Sequence, residues 1–172
     1  MTSDTTERPI GSTGEELSLA LEYHAEFRRQ VMGAVPSDVS VDGRWTPLQH
    51  GHHIAISHIA VAKTIVRLAE RGTRRGRTPD AERVSLLERF VFPYTPFTPP
   101  GMEPANDPAR DEVEALLEET EHYLRDLDRI ATSIESATAT LPHPYYGALT
   151  PLLWLRFVSV HTAHHLELLA RV

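Results

Sequence analysis

Seven of the ten histidines of this chain fall in two patches, His50-Gly51-His52-His53 with His58, and His161-Thr162-Ala163-His164-His165. Imidazole is a ligand for zinc, nickel and iron, and three imidazoles converging from two helices leave one coordination position open for water or substrate. Such a centre does chemistry; it is not merely a structural clip. His161 and His165 stand four residues apart, so on a helix they project from one face, about a turn from each other, and reach one ion. Thr162 occupies the position where the zinc-protease motif HExxH carries glutamate, which excludes that signature.

The third ligand has to come from another helix, and height along the helices selects it. With a rise of about 1.5 Å per residue, His53 lies roughly 9 Å along a helix starting at Pro47, while His165 and His161 lie roughly 10 and 16 Å from the end of a C-terminal helix. Antiparallel helices put His53 level with the pair. Parallel helices miss it by one or two turns. The expected metal ligands are therefore His53, His161 and His165. His50, one turn before His53, is placed at the rim, with the alternative that it replaces or supports His53. His52 and His58 point away from His53 on the helical wheel and are read as packed or solvated. His164 is rotated about 100° from its neighbour and is excluded. His24 is read as a hydrogen-bonded core histidine rather than a fourth ligand, and His122 and His143 as surface and loop residues.

Four helical segments must position these side chains. Three share a start signal, a capping residue followed by proline: Thr46-Pro47, Asp107-Pro108 and Thr150-Pro151. Gln49 completes a capping-box pattern with Thr46. Helix A is expected over about Thr13 to Ala34, with Leu17, Leu21, His24, Phe27 and Val31 on one face. Helix B runs from Pro47 to about Arg71 and is apolar around much of its circumference, as for a helix with several neighbours. Helix C spans Pro108 to about Ser136, its acidic residues forming a solvated face, and helix D fills Pro151 to the end. Residues 72 to 107 are long for a connection in a compact domain. A short helix from Thr78-Pro79 to about Phe90 fits there. The proline-aromatic stretch 92 to 100 that follows excludes regular helix and central strand and suggests an ordered lid. Antiparallel B and D require an up-down-down-up path with a long B-to-C crossover, and this segment supplies it.

Composition sets the outer bounds. At 172 residues with 41% apolar content, the expectation is a single domain over 1–172 with a flexible N-terminus over 1–12. Net charge −7 argues against nucleic acid or anionic membrane surfaces as partners. The chain has no cysteine, hence no disulfide, thiolate ligand or cysteine nucleophile of its own. The first residues lack the apolar run of a signal peptide, and the apolar stretch 148 to 160 is too short to span a bilayer and is interrupted by Arg156. A cytoplasmic protein is expected.

Two patterns then carry a family likeness: Trp45-Thr46-Pro47-Leu48-Gln49 with His53-Ile54, and His143-Pro144-Tyr145-Tyr146-Gly147-Ala148-Leu149-Thr150 with Trp154, His161 and His164-His165-Leu166. They resemble the DinB-like superfamily of metal-dependent proteins. The resemblance implies an all-α fold, a four-helix bundle with the up-down-down-up path, frequently a homodimer, binding a divalent ion. Zinc or nickel is the first expectation, with iron or manganese as alternatives. It maps the three-histidine site onto His53, His161 and His165, and it implies transfer of a low-molecular-weight thiol such as bacillithiol, mycothiol or glutathione to an electrophile. Where relatives often carry glutamine one turn after the last histidine, this chain has Glu167-Leu168-Leu169.

The expected function is thus a metal-dependent thiol S-transferase. An ion on three neutral imidazoles keeps its positive charge and stabilises the thiolate that a cysteine-free protein cannot supply. The alternatives are a metal-dependent hydrolase and a noncatalytic, metal-binding dimeric stress-response module.

Overall fold

The computed structural model describes residues 7–34, 45–73, 76–93 and 98–170. The fold is predominantly helical: α1 Thr13–Gly33, α2 Pro47–Arg71, α3 Ala81–Glu88, α4 Arg110–Asp126, α5 Ala131–Ser136 and α6 Pro151–Leu169, with a 3₁₀ turn Leu127–Ile130 between α4 and α5. Short strands β1 Leu141–His143 and β2 Gly147–Leu149 pair antiparallel, Leu141 opposite Leu149 and His143 opposite Gly147. The sequence reading did not anticipate this hairpin.

The helix starts follow local chemistry. Ser12 and Glu15 form a capping box on α1, and Thr46 and Gln49 form the expected one on α2. The Thr150 hydroxyl accepts from the Leu153 N–H at the start of α6. The Asp107-Pro108 start is corrected. The helix begins at Arg110, with Ala109 at the cap and no side-chain cap bond. Its start is held instead by Arg110, whose guanidinium donates to the Met32 and Ala34 carbonyls, each at 2.6 Å, at the free C-terminal end of α1. The expected helix C is likewise interrupted: after Asp126 the chain tightens into the 3₁₀ turn before α5 resumes.

Burial is arranged in two clusters. The larger includes Leu17, Ile65, Leu87, Leu124, Ile134, Tyr146, Leu155 and Val158 and joins all six α-helices to the hairpin. The smaller comprises Phe27, Val31, Ile54, Ala55, Val113 and Leu117. It backs the histidines, with the Phe27 ring edge-on to His165 at 6.5 Å between centroids. Gly51 makes this approach feasible: a Cβ there would lie 2.7 Å from Val113 Cγ1 and 2.8 Å from Val31 Cγ1. One buried ion pair, Arg156 Nε to Glu16 Oε2 at 2.9 Å, ties α6 to α1, and Arg156 also donates to the Pro9 carbonyl. The acidic face of α4 is solvated as expected, with Glu114, Glu118 and Glu121 gathered around Arg28.

Candidate metal centre

His53, His161 and His165 are brought together: one ring nitrogen from each lies within 4.8 Å of the others, and all three residues are buried. His53 comes from the second turn of α2, and the other two from successive turns near the end of α6. The facing surfaces of α2 and α6 therefore supply the trio that helix heights select.

Hydrogen bonds orient each ring. His53 Nδ1 lies 2.6 Å from the Met102 carbonyl oxygen, which can only accept, so Nδ1 carries a proton and, in neutral imidazole, Nε2 keeps its lone pair. That Nε2 is 3.3 Å from His161 Nε2. His161 Nδ1 is 3.3 Å from His58 Nε2, and His165 Nδ1 is 2.7 Å from His50 Nδ1. The trio is thus held from behind by two more imidazoles and one carbonyl, the kind of outer support that fixes ligand tautomers.

The Met102 carbonyl is itself delivered by local sequence. In Pro99-Pro100-Gly101-Met102 the Met102 N–H donates to the Pro99 carbonyl at 3.0 Å, and Gly101 has φ +81°. Proline followed by a positive-φ glycine at the two central positions is the pattern of a type II turn. Gln49 anchors the same segment to α2: its Oε1 accepts from the Thr46 N–H and its Nε2 donates to the Ala105 and Asn106 carbonyls. The capping residue at the head of α2 thereby fixes the loop that orients His53.

Burial disfavours the charged form of three of these imidazoles. His161, His165 and His58 are each held well below the usual histidine pKa, first by desolvation and then by neighbouring imidazoles. Neutral imidazole is the form that binds a metal ion. The donor set also fits such an ion for a second reason. With His53 Nδ1 protonated, two Nε2 atoms face each other at 3.3 Å, an arrangement that a proton or a cation between them relieves.

Several single-residue expectations are revised. His50 is fully buried and paired with His165, not at a rim. His58 is buried and, like His53, lies against His161, its Nε2 3.3 Å from His161 Nδ1. A reading that looks about one turn to either side of His53 would have included both: His50 and His58 lie roughly 5 and 8 Å along α2 from it, His50 towards the His165 end and His58 towards the His161 end of the antiparallel pair. His143 is not a peripheral loop residue. It sits in β1 with its ring 4.5 Å from Phe157, and its Nδ1 accepts from the Tyr145 and Tyr146 N–H groups, closing the hairpin turn. Burial lowers its pKa to about 4. His24 is buried as expected, Nε2–H donating to the Leu117 carbonyl at 2.9 Å. His164 lies outside the trio, stacked on Phe92 at 4.5 Å.

The trio opens onto a cavity of about 270 Å³ walled by α2, α6, the hairpin and the segment around Phe92 and Met102. Trp45 lies 4.8 Å from His53, and Phe92 stacks on His161 at 5.3 Å. Of the proline-aromatic stretch, residues 94–97 fall outside the described residues, whereas Phe92, Thr98 and Pro99 line the cavity. Among the described residues no helix is long and apolar enough to cross a membrane.

No curated protein and no solved structure matches the chain at a significant level. The sequence model of the DinB superfamily, however, matches residues 5–169, nearly the whole chain and both histidine patches, and the chain belongs to the DinB superfamily.

Proposed function

We propose that this chain is a single-domain, metal-dependent enzyme that transfers a low-molecular-weight thiol to an electrophile, with His53, His161 and His165 as the metal ligands. The observation that carries the reading is the convergence of three buried imidazoles from α2 and α6 on an aromatic-walled cavity. When bound, a divalent ion such as zinc or nickel supplies the positive charge that keeps a thiol deprotonated near neutral pH.

The architecture we attach to this reading is a four-helix bundle with an up-down-down-up path, 72–107 forming the crossover. Paired contacts support it. Glu16 meets Arg156 and Phe27 meets His165, so α1 and α6 advance together. Arg28 meets Glu114 while His24 meets Leu117, so α4 runs against α1. Gly51 faces Val113 and the Ala55 carbonyl accepts from Thr120, so α2 and α4 advance together.

The protein's own residues do three things. Met102, His58 and His50 orient the three ligand rings through their Nδ1 atoms, leaving Nε2 of each for the cavity side. Trp45 and Phe92 cover His53 and His161 and exclude water from the reacting atoms. The cavity holds the electrophile where the thiol sulfur attacks its carbon: the thiol proton leaves to solvent, a C–S bond forms, and the leaving group departs with the bonding pair. An open coordination position is favoured over a closed structural site because His24 is tied to Leu117 and His50 to His165.

Two measurements test the reading. Metal content of purified protein should fall well below one ion per chain in His53→Ala, His161→Ala and His165→Ala, and stay near the parent level in His164→Ala. Cobalt-loaded protein should develop a sulfur-to-metal charge-transfer band on adding a small thiol. Full occupancy in all three ligand variants would remove the site, and no spectral response to several thiols would remove the transferase.

A further inference from the structure

The walls of the cavity carry information about its occupant that the metal ligands do not. Trp45, Phe92, Tyr145, Trp154 and Phe157 supply five aromatic faces, and Ala60, Val61 and Leu168 fill much of the remainder. No Asp, Glu, Lys or Arg is among the described lining residues, whose polar groups are hydroxyls, imidazoles and the indole N–H groups of Trp45 and Trp154. The hydroxyls are in part committed: Ser57 donates to Met102 Sδ and Thr64 to the Ala60 carbonyl. His143, held to a pKa of about 4 by burial, adds no cation.

We infer that the wall of this cavity beyond the histidine trio is the subsite for an uncharged, largely apolar, ring-sized molecule, and that this wall disfavours carboxylate-bearing ligands. The inference rests on the proposed transferase reading in assigning this occupant the role of electrophile; the charge preference of the cavity stands apart from it. A carboxylate entering this wall would lose its hydration with no guanidinium or ammonium to replace it. A flat apolar ring instead gains area burial and edge or face contacts with the aromatic walls. The volume, about 270 Å³, is near the lower end of the roughly 300–1,000 Å³ of small-molecule sites, which suits a molecule of two or three aromatic rings. The net charge of −7 acts in the same direction, because it repels anions before they reach the mouth. A thiol with two carboxylates, such as glutathione, is therefore disfavoured inside this cavity and would have to present its sulfur from the mouth.

A matched pair of probes tests this. N-phenyl-1-naphthylamine is neutral, and 1-anilinonaphthalene-8-sulfonate is the same ring frame with one negative charge. Both tryptophans of the chain line the cavity, so energy transfer from Trp45 and Trp154 follows probe binding, and a substitution in the wall ties that signal to the cavity. The titration uses the full chain stripped of metal by a chelator, with circular dichroism confirming the fold, so that the sulfonate has no ion to reach. The neutral probe should saturate at one per chain with a Kd at least about tenfold below that of the sulfonate, about 1.4 kcal/mol. Ala60→Lys, which adds a cation to the wall, should narrow or invert that ratio. Equal or tighter binding of the sulfonate by the parent protein, or no saturable binding of the neutral probe, overturns the inference. The metal and thiol measurements read other quantities: if the neutral probe binds but no ion does, the transferase reading fails alone, and the reverse result removes only the cavity assignment.

Discussion

His50 Nδ1 lies 2.7 Å from His165 Nδ1, a contact between residues 115 positions apart. Both rings are buried, so the bond fixes which His165 nitrogen is left for a metal ion. Support of this kind is ordinarily worth about 10- to 100-fold in metal affinity. His50→Ala should therefore bind zinc about 10- to 100-fold more weakly than the parent, measured by competition with a chromophoric chelator, and His50→Gln should recover part of the loss. Unchanged affinity in His50→Ala would show that the contact does not orient the ligand.

Gly51 gives a test of packing next to the site. Alanine in mid-helix gains about 1 kcal/mol over glycine, while forcing a methyl into a filled core costs about 1–3 kcal/mol. The Cβ contacts at 2.7 and 2.8 Å fall on Val113 and Val31, branched side chains with little room to give. Gly51→Ala should therefore lower Tm by a few degrees and weaken metal binding through its neighbours His50 and His53. A rise in Tm would mean that the three helices are less closely packed than described.

His143 sets a pH dependence. Its pKa is about 4 in the fold, below the 6.5 of the free side chain. Between those values only the unfolded chain takes the proton, so the unfolded state binds more protons and stability falls as pH drops from about 6.5 towards 4. The shift corresponds to about 3 kcal/mol at most. Urea unfolding at pH 7 and pH 4.5 should show the parent losing more stability than His143→Asn, which keeps an acceptor for the hairpin N–H groups but cannot titrate. Buried His24 acts in the same direction and is common to both proteins, so it cancels in the difference. Equal losses would place His143 in water.

The chemistry of the site was legible because it is periodic. His161 and His165 share a helix face by spacing alone, and Thr46-Pro47 and Thr150-Pro151 mark the helix starts that set their heights. Covalent geometry and capping act over a few residues, and a sequence displays those directly. Arg110 shows the limit: the start of α4 is fixed by carbonyls at the end of α1, so no local signal locates it.

What tertiary structure decided is which imidazoles stand behind the ligands and what surrounds them. His50 and His58 gained their roles only when α6 came to lie along α2, because a hydrogen bond between rings depends on azimuth as well as height. The Met102 carbonyl reached His53 only through a turn and the grip of Gln49 on the crossover. The cavity wall, with no Asp, Glu, Lys or Arg among its described residues, likewise collects residues from α2, the crossover, the hairpin and α6, segments that no pattern along the chain places together. The histidine trio was written in one dimension by helical repeat; its ring orientations, its burial and the make-up of its cavity arise from contacts between helices and loops.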